Sequence, residues 1–126
     1  MGVEAWAKSL EQLFIEAALG LREVIFGGVT VSCQESRLVI IEAEDMTELL
    51  VAWLNELLYL FDVDRLVPAA FQIEQLGDTH LRGRIFGELY SPDNHPMEHQ
   101  VKAVTYHQSE LTGQLGGFRA KVYLDL

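Results

Sequence analysis

The sequence predicts an α+β fold: a two-layer domain with two helices packed on one face of a mostly antiparallel sheet. Three observations predict it. Two long stretches, Ser9 to Gly27 and Asp45 to Asp64, carry apolar residues at the i, i+3, i+4, i+7 spacing of an amphipathic helix. The remaining segments are shorter and alternate apolar with polar residues, the period of a half-buried strand. Their order is strand, helix, two strands, helix and then several strands, which places both helices against a shared sheet.

Met1 to Ala7 reads as the first strand, with Val3, Ala5 and Ala7 alternating with Glu4 and Trp6. Ser9 opens the first helix, with Gln12 in the capping-box position three residues on. Leu10, Leu13, Phe14, Ala17, Ala18, Leu21, Val24 and Ile25 form its stripe, and Gly27-Gly28 ends it. Gly20 inside this helix costs about 1 kcal/mol relative to alanine, which points to close approach of a sheet. Val29–Cys33 and Leu38–Glu44 read as a hairpin around the polar turn Gln34–Arg37, with Cys33 a buried strand thiol.

Asp45 and Glu48 repeat the capping signature. Leu49, Leu50, Trp53, Leu54, Leu57, Leu58 and Phe61 trace the second stripe. That helix closes on Asp62 and Asp64, acids against the electronegative helix end; they read as an exposed turn or as a metal or partner site. Leu66–Leu76 and Leu81–Tyr90 are two further strands joined at Gly77-Asp78. Pro68 marks a strand start or an edge, and Arg82 and Arg84 lie on an exposed face or at phosphate. Ser91–Gln100 is the longest loop.

The last hairpin is the most informative. Val101–His107 and Phe118–Leu126 have strand composition, and Leu115-Gly116 suits a two-residue turn. Centring the hairpin there places Gln114 opposite Gly117, Glu110 opposite Lys121, and Tyr106 opposite Asp125. Lys102, Val104, Tyr106, Glu110, Lys121, Tyr123 and Asp125 would then share one face. The Asp125 carboxylate lies beside the terminal carboxylate of Leu126, an oxygen pair that suits a hard cation or else a solvated strand end. His107, on the opposite parity, would face the core. His95 and His99 are four apart, but Pro96 between them opposes the helix that a zinc site with this spacing needs.

Composition bounds the function. A chain of 126 residues, 49% hydrophobic and 22% charged, is one domain with its own core, spanning residues 1–126. A net charge of -10 with only 9 Lys and Arg excludes a broad basic surface for naked nucleic acid, while favouring a basic protein partner. The single cysteine precludes an internal disulfide, and neither a signal peptide nor a membrane-spanning segment is visible, so a reducing cytoplasm is expected. No nucleophile elbow, phosphate-binding glycine loop or Cys-x-x-Cys pair is present, so no independent catalytic motif is seen.

Four segments carry a resemblance that covers essentially the whole chain: L-E-Q-L-F-I-E-A-A-L-G-L from Leu10, L-N-E-L-L-Y-L-F-D from Leu54, V-K-A-V-T-Y-H from Val101, and V-Y-L-D-L from Val122. The chain resembles the archease family, accessory proteins of the tRNA-splicing RNA ligase. The resemblance implies an accessory role rather than independent catalysis: promoting guanylylation and turnover of that ligase, with indirect involvement of tRNA. It also implies a small acidic site for a divalent cation, calcium, manganese or magnesium. It carries the family's functional lysine onto Lys102 and its C-terminal aspartate onto Asp125, beside the Leu126 carboxylate; Tyr106 and His107 are further candidates from the strand pattern itself. A third family residue, the aspartate of an H-T-A-D segment, would precede residue 1, with Gly2 aligned to the glycine after it. A cation is accordingly expected to be held more weakly here. The alternative role is a chaperone-like binding modulator of tRNA-modifying enzymes.

Overall fold

The computed structural model describes residues 1–126. Its element order is β1 (Gly2–Ala7), α1 (Leu10–Phe26), β2 (Glu35–Glu42), α2 (Met46–Asp64), β3 (Leu66–Leu76), β4 (His80–Leu89), β5 (Ala103–Gln114) and β6 (Gly117–Asp125). Both helices begin where their caps predict. The Ser9 hydroxyl accepts from the Gln12 N–H at 3.2 Å, and the Asp45 carboxylate accepts from the Glu48 N–H at 2.8 Å. α1 stops at Gly27, with φ 68; α2 stops at Arg65, which takes the left-handed conformation at φ 56.

The apolar stripes meet in a cluster of 27 buried residues. Trp53 and Phe14 are its largest fully buried members, and the indole Nε1 donates to the Phe14 carbonyl at 3.0 Å. This bond lets a polar ring edge sit in an apolar core without an unpaired donor.

The α+β class is as the sequence predicts, and every strand pair is antiparallel. The strands divide, however, into two three-stranded sheets, ordered β1-β6-β5 and β2-β4-β3. The helices bridge them. A Cβ placed on Gly20 of α1 would lie 3.1 Å from Val3 of β1, so the glycine does permit a close approach. Two residues on, Arg22 Nη1 donates to the Ala69 carbonyl of β3 at 3.1 Å. From α2, Trp53 packs edge-on against Phe71 of β3 at 6.0 Å, while Asn55 reaches β5.

One expected strand is absent. Val29–Cys33 is irregular, and Cys33 is exposed rather than a buried strand thiol. The segment does not fold back on β2 as a hairpin but stays alongside β4, with the Gln34 N–H donating to the Gly87 carbonyl at 2.9 Å. Ser32 instead donates to the Glu88 carboxylate at 2.8 Å. Arg82 and Arg84 both pair with Glu74, at 3.1 and 3.4 Å, which is the exposed-face reading of those arginines.

Candidate functional site

β6 runs down the middle of its sheet, so its last residues are flanked on both sides. On one side Gly2 lies opposite Tyr123, and the Leu124 N–H donates to the Met1 carbonyl at 2.7 Å. On the other Ala103 lies opposite Asp125, and the Lys102 N–H donates to the Asp125 carbonyl at 2.8 Å. Three strand ends therefore meet where the side chains of Lys102 and Asp125 and the Leu126 carboxylate emerge, all of them exposed. Lys102 takes part in none of the ion pairs of the structure, so its ammonium is free to meet an external anion.

The register around this junction corrects one expectation. The turn at Leu115-Gly116 forms, with Gly116 at φ 85, and Gln114 does face Gly117 and Glu110 does face Lys121. Tyr106 does not reach Asp125. Thr105 pairs with Tyr123 while Glu110 pairs with Lys121, so five steps of β5 span two of β6 and three residues are extra. Gln108 absorbs the insertion at φ 62, and the Ser109 hydroxyl closes the gap, donating to the Thr105 carbonyl at 2.6 Å and accepting from the Tyr123 N–H at 3.3 Å. An odd insertion reverses side-chain parity. Val104 consequently packs inward opposite Leu124, and Lys102, Val104 and Tyr106 do not share a face with Tyr123 and Asp125. Lys102 neighbours Asp125 through the backbone at the strand end.

The same bulge removes Tyr106 and His107 from the junction. Tyr106 turns to the start of α2, its hydroxyl donating to the Asp45 carboxylate at 3.3 Å. The Asp45 charge, then desolvation, holds this phenol above its ordinary value of 10.0. His107 is exposed on the bulge rather than facing the core.

Two features position the V-K-A-V segment that the sequence did not reveal. Asn55 on α2 pairs with the backbone of Val104 in both directions: Nδ2 donates to the carbonyl at 2.9 Å, and Oδ1 accepts from the N–H at 2.9 Å. The amide thus stands in for the missing neighbour strand at the β5 edge, two residues from Lys102. Its signal in the sequence is slight, a single Asn among the leucines of α2. The second feature is the loop before the segment. Glu98 and His99 donate their N–H groups to the Ile25 carbonyl at 2.7 and 3.3 Å, tying the loop to the end of α1.

His95 of that loop is only 1% exposed and holds no metal-ligand partner in His99. Its Nδ1 accepts from the Ser91 N–H at 2.9 Å, so the ring proton sits on Nε2 and is donated to Glu88 at 2.8 Å. The hydrogen bond from His95, followed by that from Ser32, holds the Glu88 carboxyl below its ordinary 4.5. A lowered carboxyl value stabilises the fold above the unfolded value and loses that contribution as the pH falls through the folded value. Thermal denaturation from pH 6 downward is therefore expected to show a loss of stability beginning near 4.5 and continuing below it. Glu88→Gln should flatten this acid limb.

The one cleft in the surface, about 200 Å³, lies between the last turn of α2 and the loop, with Phe61, Asp62, Arg65, Met97 and Val101 among its lining. Neither Asp125 nor His107 borders it, so no deep pocket accompanies the junction. Asp62 lies at this cleft, whereas Asp64 pairs with Arg37 at 3.1 Å. Nowhere does the chain gather three His, Cys, Asp or Glu residues that could hold a metal ion. Hard cations take six or more oxygens, and the Asp125 and Leu126 carboxylates supply at most four, so water or a partner would have to complete the shell of a cation held there.

Fold and site together define a small α+β protein whose polar junction lies open at the end of a central strand. The model of the archease protein family matches residues 1–126. The archease of Methanosarcina mazei is 40% identical over 126 residues, covering 97% of this chain and 86% of the relative. That of Methanothermobacter thermautotrophicus is 36% identical over 128 residues, covering 99% and 91%. Among solved structures, the solution structure of a Methanobacterium thermoautotrophicum protein superposes with a TM-score of 0.81 at 36% identity, over 99% of this chain and 91% of that one. A Thermotoga maritima archease, described as a possible chaperone, superposes with a TM-score of 0.62 at 15% identity, over 100% and 90%; that likeness is one of fold. The chain belongs to the archease family.

Proposed function

We propose that this protein is a cytoplasmic accessory factor that docks on a tRNA-splicing RNA ligase and promotes its guanylylation and turnover, without catalysing a reaction of its own. The observation that carries the reading is the junction itself. It belongs to a chain matched end to end by the archease family, and it presents an unpaired lysine beside Asp125 at a strand end held on both sides. In this reading Lys102 meets a phosphate of the ligase-bound nucleotide as a point charge. Asp125 and the Leu126 carboxylate, exposed at the same strand end, accept hydrogen bonds from the partner. The junction is open, so the ligase, rather than this chain, excludes water from it. Tyr106 and His107 stand apart from that contact. No helix here is long and apolar enough to cross a membrane.

The test is a guanylylation assay with purified ligase, GTP and this protein. Stimulation of adduct formation and of multiple turnover is expected. Unchanged ligase kinetics at saturating protein would contradict the reading and favour a chaperone-like modulator of tRNA-modifying enzymes that works by surface contacts alone.

The divalent cation is a separate matter, since the donor set here is incomplete. Calorimetric titration of the isolated protein with Ca²⁺ or Mn²⁺ is expected to show no micromolar site. Micromolar binding abolished by Asp125→Asn would prove the two carboxylates sufficient.

A further inference from the structure

The sheet orders make β1, β5, β2 and β3 edge strands, and edges with free backbone groups template pairing unless they are blunted. Two are visibly blunted. β3 carries Pro68, two register shifts and the Arg22 guanidinium on the Ala69 carbonyl. β5 carries the three-residue bulge and the Asn55 amide on Val104. β1 is six residues long. β2 is eight residues long, free of proline and lysine, and paired to β4 in unbroken register.

Parity identifies which of its groups are free. Ala43 donates its N–H to the Thr79 carbonyl at 2.9 Å in continuation of the β2–β4 register, so the odd-numbered residues exchange hydrogen bonds with β4. The N–H and C=O groups of Ser36, Leu38, Ile40 and Glu42 point the other way. Of these, the Ser36 carbonyl accepts from Arg37 Nη1 at 3.0 Å, and no bond beyond the strand pair engages Leu38 or Ile40. Their side chains are also uncovered, 44% exposed for Leu38 and 64% for Ile40. Together they form an apolar strip along an open edge.

We propose that a second copy of this chain pairs on that edge, β2 against β2, antiparallel about a two-fold axis at Val39. The strand is self-complementary in this register. Leu38 falls opposite Ile40 of the second copy and the reverse, Ser36 opposite Glu42, Arg37 opposite Ile41, and Glu35 opposite Ala43, with no like charges opposed. Sliding by two residues one way sets Leu38 against Glu42; sliding the other way sets Ile40 against Ser36. Either shift loses both Leu–Ile pairs. The two groups of four outward-facing residues supply matched donors and acceptors for an extended six-stranded sheet. Each copy carries a net charge of -10, so the copies repel at long range and association strengthens as salt rises. A basic foreign strand on the same edge would show the opposite salt dependence.

Sedimentation equilibrium over a range of concentrations, at about 50 and 500 mM salt, tests this, together with amide hydrogen exchange. A concentration-dependent dimer is expected, tighter at the higher salt. Exchange at Leu38 and Ile40 should slow as the protein concentration rises. Ile40→Lys, an outward substitution felt twice in a symmetric dimer, should weaken association about tenfold or more, with the melting temperature unchanged at concentrations where the protein is monomeric. A chain that stays monomeric under all these conditions would overturn the proposal. So would a dimer that persists in Ile40→Lys while both amides exchange as in the monomer.

Discussion

Replacing Asn55 by leucine is expected to destabilise the protein by about 2–3 kcal/mol and to loosen the segment that carries Lys102. The side chain of Asn55 satisfies the Val104 N–H and carbonyl at once, each at 2.9 Å, where no neighbouring strand does so. Leucine has the same branching at Cγ and a higher helix propensity in α2, but it leaves both backbone groups of a 3%-exposed residue unpaired. Asn55→Asp separates the two bonds: it retains an acceptor for the Val104 N–H and offers the carbonyl no donor, so its cost should fall between wild type and leucine. Urea denaturation measures the loss, and hydrogen exchange at Val104 locates it. Stability within about 0.5 kcal/mol of wild type for Asn55→Leu would show that water replaces the amide without penalty. If the loosening is local, ligase stimulation should fall in the same variant although Lys102 itself is intact.

Lys102→Glu is expected to abolish stimulation of ligase guanylylation while leaving the fold untouched. The side chain is exposed and unpaired, so its replacement should alter stability by no more than about 0.5 kcal/mol. A lysine–phosphate contact is charge-assisted and contributes about 1.5–3 kcal/mol, so its loss corresponds to roughly ten- to hundredfold in the stimulated rate. Reversal adds repulsion to that loss. Lys102→Arg, which keeps the charge and changes its shape, should retain part of the activity. Full stimulation by Lys102→Glu would exclude the phosphate role and leave surface docking alone as the source of activity.

The two variants separate contact from support. Lys102 acts at the junction and Asn55 holds the strand that presents it, so only the second should change denaturation and exchange. Their different readouts keep a folding defect from being mistaken for a lost contact.

Much of the scaffold was legible in the chain because it rests on local signals. Ser9 and Asp45 marked the helix starts, Gly27 one helix end, Leu115-Gly116 the last turn, and the leucine stripes the buried faces. Periodicity and capping are properties of neighbouring residues, and they survive folding unchanged. The resemblance carried by V-K-A-V-T-Y-H and V-Y-L-D-L then pointed to Lys102 and Asp125, and the structure does bring their backbones together.

The errors share a cause. A straight reading of the last hairpin put Tyr106 beside Asp125, and nothing in Thr105–Glu110 announced three extra residues. The bulge is held by the Ser109 hydroxyl on its own strand and on β6, and Tyr106 is drawn away by Asp45, sixty-one residues distant in the chain. Cys33 was misplaced because strand propensity cannot foresee that Ser32 and Gln34 are held by Glu88 and Gly87, more than fifty residues on. Residue pattern alone thus determined the helices, the class of fold and the turn at the far end of the hairpin that carries the candidate site. Only the tertiary structure decided how the strands divide into two sheets, which side chains face Asp125, and which edge stays open. Those outcomes depend on hydrogen bonds between segments far apart in sequence, where a shift of one residue reverses every face and no local propensity resists it.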